Sequence, residues 1–241
     1  MISLKEIRSS YPINKREEDS GTWWGFRVMR PLSFPLSWVA IRFGLSANSI
    51  SVATIIIGLA GCAFLCVGID WYMIIGAVLL NIRNILDHVD GTIARATNTA
   101  SKFGEYLDNI CDELMGVTTP LSIGIGLYVG GNTLLGIFHP ASYLIMGAIY
   151  GAASIYGAYI IVLIKHIFNV SNLAVYRPKK EDGLTLWSLV YKVGVNLQSL
   201  STPILLLTTL TGTLGYYILF YTLLTICEIG AIMIKGTVSV K

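Results

Sequence analysis

Six mostly apolar stretches follow one another from residue 50 onward, at 50–69, 71–95, 104–130, 141–164, 188–211 and 214–234. Each is about long enough to cross a bilayer as a helix. The second and third differ from the rest, because Arg83, Asp87, Asp90, Arg95, Asp108 and Asp112 sit on ends that otherwise read as continuous helix. Such ends cannot face lipid. The expected fold is therefore all-α: a polytopic membrane protein of six transmembrane helices, with an N-terminal juxtamembrane amphipathic segment. In that segment Trp23, Trp24, Phe26, Phe34 and Trp38 mix with Arg27, Arg30 and Arg42, and Pro31 and Pro35 are expected to kink it. This composition suits the headgroup layer, and the segment reads as an anchor rather than a substrate-binding element. Residues 1–46 are expected to form a cytoplasmic and interfacial segment, and residues 47–241 the membrane domain.

Charge sets the expected orientation. With the N-terminus inside, 16 of the 17 Lys and Arg residues fall on the inner side and Arg83 lies within a span. The connections near Asp70, at 130–140 and at 212–215 carry neither residue. Excess positive charge on cytoplasmic loops then places both termini and the charged helix ends in the cytoplasm, at the cell membrane if the source is prokaryotic. The first twenty residues leave no continuous apolar run for a signal peptide. Composition agrees: 54% hydrophobic against 13% charged residues, with mean hydropathy +0.67, excludes a disordered or disulfide-stapled chain. A net charge of +3, widely scattered, gives no case for nucleic acid. Cys62, Cys66, Cys111 and Cys227 lie in or beside apolar runs without metal-ligand spacing and read as packing residues. The pairs Gly126 and Gly130, and Gly147 and Gly151, would permit close helix contact, within the bundle or across a homodimer.

Helical spacing puts Asp87, Asp90 or Gly91, and Ala94 on one face, and Gly104, Asp108 and Asp112 on another. The eight residues 96–103 are enough to turn the chain back, so two antiparallel helices would present four carboxylates to each other. Each charge costs about 2.5–3.5 kcal/mol on the mildest insertion scale for a helix centre, so something positive must sit among them. Oxygen ligands without His or Cys suit Mg²⁺, Mn²⁺ or Ca²⁺, and four carboxylates are enough for two such ions. Paired dications suit phosphoryl chemistry. The glycines and Ala94 would let a nucleotide lie against helix backbone.

The series Asp87-x2-Asp90-Gly91-x2-Ala94-Arg95-x8-Gly104-x3-Asp108-x3-Asp112 resembles the full signature of the CDP-alcohol phosphotransferase family, with no position departing from it. Eight identities at fixed spacing make this far more specific than a lone Gly-x-Gly-x-x-Gly. A weaker likeness covers Ala47, Asn48, Ser49, Ile50 and Ser51, where Ala47 replaces the proline frequent in the family. The resemblance implies displacement of CMP from a CDP-linked alcohol by the hydroxyl of a second alcohol, with Mg²⁺ or Mn²⁺ and two ions per site. It assigns Asp87, Asp90, Asp108 and Asp112 to metal, and makes Asp112 the candidate general base. Asp87, Gly91, Ala94, Arg95 and Gly104 would then contact the nucleotide, with Arg95 at its diphosphate. The partners expected in that chemistry are a CDP-linked lipid, first of all CDP-diacylglycerol, a small polar alcohol such as inositol phosphate, glycerol phosphate or serine, membrane lipids, and a second copy in a homodimer.

Other readings remain beside this one. A CDP-choline or CDP-ethanolamine donor with a lipid acceptor would use the same signature. An ion-coupled transporter would explain the carboxylates but not the spaced Gly, Ala and Arg. Arg83, one turn before Asp87, reads equally as a phosphate contact or as the salt-bridge partner of the acids. Lys165, Arg177, Lys179 and Lys180 are candidate contacts for anionic headgroups or a phosphate-bearing acceptor, against an ordinary positive-inside anchor. His88 neighbours Asp87 but points about 100° away on a helix, which argues against a metal role.

Overall fold

The computed structural model describes residues 2–133, 139–167 and 186–238. Ten α-helices carry these residues: α1 Leu4–Ser9, α2 Ile13–Asp19, α3 Arg30–Arg42, α4 Ala47–Cys66, α5 Asp70–Ala96, α6 Lys102–Val129, α7 Ala141–Ile167, α8 Leu186–Ser199, α9 Ser201–Leu210 and α10 Leu214–Val238. A π-helical turn over Gly25–Met29 runs directly into α3. No strand occurs among the described residues. By length and apolarity α4, α5, residues 141–163 of α7 and residues 214–234 of α10 can cross a membrane, and residues 192–199 with 201–210 make a fifth if the bent pair is one span. The 28-residue α6 does not join that set, since Lys102, Glu105, Asp108, Asp112 and Glu113 crowd its first half. Among the described residues there are thus four or five candidate spans, where the hydrophobic pattern predicted six.

The fifth predicted run is not one straight helix. Its two halves meet at 53° around Leu200. Pro203 supplies the reason: it lacks an N–H, and its ring excludes the carbonyl four residues back. Neighbouring helices hydrogen-bond to the chain on both sides of the break. Asn81 Nδ2 donates to the Thr202 carbonyl at 2.9 Å, Asn84 Nδ2 to Thr202 Oγ1 at 2.9 Å, and the Tyr221 hydroxyl to the Leu197 carbonyl at 2.8 Å.

Close approach of backbones organises the bundle around α4, α5, α6 and α7. A Cβ on Gly76 would lie 2.6 Å from the Gly61 carbonyl, and one on Gly126 would collide with the Leu65 carbonyl. One on Gly147 would meet the Pro120 carbonyl at 2.5 Å, and one on Gly151 the Val117 carbonyl at 3.2 Å. Between hydrocarbon-like surfaces such packing, not exclusion from water, holds helices together. Both small-residue pairs singled out in the sequence are thus used inside this bundle. Leu65, Met73, Ala77, Leu80, Ile123, Leu127, Leu205, Ile218 and Tyr221 fill the core beside them. Cys62 and Cys111 are buried free thiols, as packing residues would be.

One face of the N-terminal segment seats on the bundle, while Leu32, Leu36, Val39 and Phe43 stay exposed on the other. Its α3 packs against α5 through a buried stripe of Arg30, Ser33, Ser37 and Ala40. Ser37 Oγ donates to the Val89 carbonyl at 3.3 Å, and Ser33 Oγ lies 3.5 Å from Thr92 Oγ1. Short side chains at helical spacing let this helix seat on the protein itself.

Candidate active site

Two local devices position the acids. Ser101 caps α6, its hydroxyl accepting from the Gly104 N–H at 3.1 Å. Before it the chain leaves α5 through Asn98, whose φ of 55° reverses direction. The returning helix then faces the one it left, and a cavity of about 640 Å³ opens between them. Asp87, Asp90, Gly91, Ala94, Arg95, Gly104, Asp108 and Asp112 all line it.

Asp87, Asp108 and Asp112 each bring one carboxylate oxygen into a group whose members lie within 4.8 Å of one another. Arg83 counters them. Its Nη2 is 3.2 Å from Asp87 Oδ1 and 2.7 Å from Asp112 Oδ1, and it also reaches Cys111 Sγ at 3.2 Å. Arg83 does not line the cavity, so of its two readings the ion-pair one is observed. Three carboxylates against one guanidinium leave two formal negative charges in a set made only of hard oxygen ligands. That donor chemistry fits a hard divalent cation.

Asp90 behaves differently from its three companions. The Ser51 hydroxyl donates to its Oδ2 at 2.7 Å and the Gly91 N–H to its Oδ1, which turns it toward α4 and leaves it outside the triad. His88 also lines the cavity, but its Nδ1 is directed at the Asn84 carbonyl 3.1 Å away, and it is not part of the acidic group. Lys165 lies in the last turn of α7, while Arg177, Lys179 and Lys180 fall outside the described residues.

Two other elements contribute wall residues. Ala47, Asn48 and Ser51 come from the start of α4, at the weaker sequence match. Lys15, Asp19 and Arg30 come from the N-terminal segment, and of the three only Arg30 belongs to the aromatic-rich anchor stretch. Nothing in their spacing links them to residues more than fifty positions away; the only available signal was that Arg30 shares a stripe with Ser33 and Ser37.

A family model for CDP-alcohol phosphatidyltransferase matches residues 45–228. The chain belongs to this family. Among curated relatives it is similar to archaetidylinositol phosphate synthase of Pyrococcus horikoshii, 24% identical over 186 residues, covering 71% of this chain and 95% of the relative. It is also similar to cholinephosphotransferase 1 of Gallus gallus, 40% identical over 62 residues, which span 26% of this chain and only 18% of that protein. Membership in the CDP-alcohol phosphatidyltransferase family makes the chain a transferase of substituted phosphate groups and displaces the transporter reading. All eight signature residues lie within the matched region, and residues 1–44 lie before it.

Proposed function

We propose that the protein transfers a phosphatidyl group from a CDP-linked lipid, most directly CDP-diacylglycerol, to the hydroxyl of a polar acceptor, releasing CMP in phospholipid synthesis. The observation that carries this reading is the single cavity walled by every signature residue, with three carboxylates within 4.8 Å and Arg95 on the same wall. The relative matched over nearly its whole length is named for an archaetidylinositol phosphate product, which favours a lipid donor with a phosphorylated polyol, inositol phosphate or glycerol phosphate, as acceptor, with serine as a further candidate. The short, more identical match to a cholinephosphotransferase supports the second reading, a CDP-choline or CDP-ethanolamine donor with a lipid acceptor.

In this reading Asp87, Asp108 and Asp112 would hold Mg²⁺ or Mn²⁺, and Asp90, which lines the same cavity, would serve a second ion. The metal supplies charge neutralisation at the donor diphosphate and at the departing CMP. Gly91, Ala94 and Gly104 leave room for the nucleotide against backbone, and Arg95 steadies its phosphates. Asp112 has Oδ1 held by Arg83, so Oδ2 takes the proton of the acceptor hydroxyl. The acceptor oxygen bonds to the donor's β-phosphorus, and the bond from that phosphorus to the oxygen bridging it to the α-phosphate breaks. CMP carries away the electron pair.

For topology we propose six spans with both termini and the cavity on the cytoplasmic side, residues 47–241 as the catalytic domain, and a homodimer as the working form. At 1.5 Å per residue α6 is about 42 Å long, enough to cross with its charged half lining the cavity. The deciding experiment incubates purified protein with CDP-diacylglycerol and a panel of alcohols, scoring metal-dependent CMP release. Release with CDP-choline and diacylglycerol alone would overturn the donor assignment, and absence of release from every CDP-alcohol would overturn the reaction.

A further inference from the structure

The segment before the matched family region is braced internally at Asp19 and tied to α5 and α8. Asp19 Oδ2 accepts from Arg30 Nε at 2.9 Å, from Arg30 Nη2 at 2.5 Å and from the Tyr11 hydroxyl at 2.6 Å, and Lys15 Nζ lies 3.7 Å from Asp19 Oδ1. Arg30, only 6% exposed, reaches Thr92 Oγ1 on α5 at 3.4 Å and lies over the Tyr11 ring at 5.0 Å. Farther along, the Trp23 N–H donates to Asn196 Oδ1 at 2.7 Å, and Asn196 Nδ2 donates to the Gly21 carbonyl at 3.3 Å, joining the segment to α8.

Lys15, Asp19 and Arg30 share one cavity wall with Arg95 and with the acidic triad. The cavity therefore has two poles. One is acidic and fits metal. The other is the remainder of the lining, with four cations, Lys15, Arg30, Arg95 and Lys102, against the carboxylates of Asp19, Asp90 and Glu105. A buried guanidinium fixed by a carboxylate on one side is a preorganised anion contact on the other. We propose that the N-terminal segment supplies a phosphate-binding wall to this cavity, in which Lys15 and Arg30 take the ligand and Asp19 is the positioning residue that holds both cations toward it. The inference deepens the proposed function and rests on it. A phosphate group is the chemistry recognised, and it belongs either to the nucleotide of the donor or to a phosphorylated acceptor.

The test uses the full chain in detergent with Mn²⁺ and compares wild type, Lys15→Ala, Asp19→Asn and Asn196→Ala. Calorimetric titration with CDP reads the nucleotide arm, and competition by glycerol phosphate against glycerol reads the acceptor arm. Lys15→Ala should weaken one of these roughly three- to fivefold, the loss of one partly exposed ionic contact. Asp19→Asn should weaken the same ligand at least as much, with KM raised and kcat little changed, and Asp19→Glu should recover part of it. If Asp19→Asn does not fold, Asn196→Ala, which releases the segment from α8 without altering charge, carries the positioning test. Unchanged affinity for both ligands in folded Lys15→Ala and Asn196→Ala proteins overturns the inference. Absence of CMP release by the wild type would instead overturn the reaction on which it rests.

Discussion

Arg83 and Asp112 show how closely charge balance and chemistry are joined at the level of single residues. Arg83 clasps two of the three clustered carboxylates, and its own side chain is 12% exposed. Removing one partner of a buried pair typically costs about 3–5 kcal/mol, and the more than half-exposed Asp112 reduces that here to on the order of 2 kcal/mol. Arg83→Gln should therefore lower the melting temperature of the metal-free protein, and Mn²⁺ should raise it by more in the variant than in wild type. An equal rise in both would show that Arg83 does not offset the acids. Asp112→Asn should reduce CMP release about 10²–10⁴-fold, the range of general-base contributions, in a protein that still folds because Arg83 keeps Asp87. Near-normal turnover would place the base elsewhere. Asp87, Asp108 and Asp112 were legible as a set because helical periodicity alone aligns them on facing surfaces. The departure of Asp90 toward Ser51 was not legible, since that hydrogen bond depends on where α4 lies.

Helix α3 and the short helices before it make the same point at the scale of elements. Burial pushes the Asp19 carboxyl up, but the Tyr11 hydroxyl and the Arg30 guanidinium outweigh it and hold the group below the usual carboxylate range. Tyr11 is pushed up to about 12 by burial and by Asp19 beside it. The lowered acid contributes stability that is present above its unfolded value, near 3.9, and is lost as pH falls through the lower folded value. The raised tyrosine contributes below pH about 10 and loses that contribution as pH rises through its folded value. Limited proteolysis of residues 1–30 should accelerate at both extremes and stay slow between them, and a rate flat across this range would contradict the arrangement. In the bundle, Gly126→Val forces a side chain into the Leu65 carbonyl and should destabilise by roughly 1–3 kcal/mol or prevent assembly. Thermal unfolding in detergent measures it. Six apolar runs gave the helices and their order, yet the bend at Leu200 needed Asn81, Asn84 and Tyr221 to accept it, and these come from other helices.

For the whole molecule, the clustered carboxylates of the proposed site predict that activity depends on a dication. Chelation with EDTA should abolish CMP release, and Mg²⁺ or Mn²⁺ should restore it; activity that survives exhaustive chelation would remove metal from the reaction. The sequence by itself determined the helical class, the membrane character and the eight-residue signature, because apolar run length and the 3.6-residue repeat are properties of contiguous chain. It could not determine which helices approach closely enough to share a wall. That choice was made by Gly61 against Gly76 and Gly126 against Leu65, and by the small stripe of Ser33 and Ser37 seating α3 on α5. Only once these surfaces met did Ser51 reach Asp90, and Lys15 and Arg30 join Arg95, because contacts across dozens of residues follow from three-dimensional packing and leave no period in the chain.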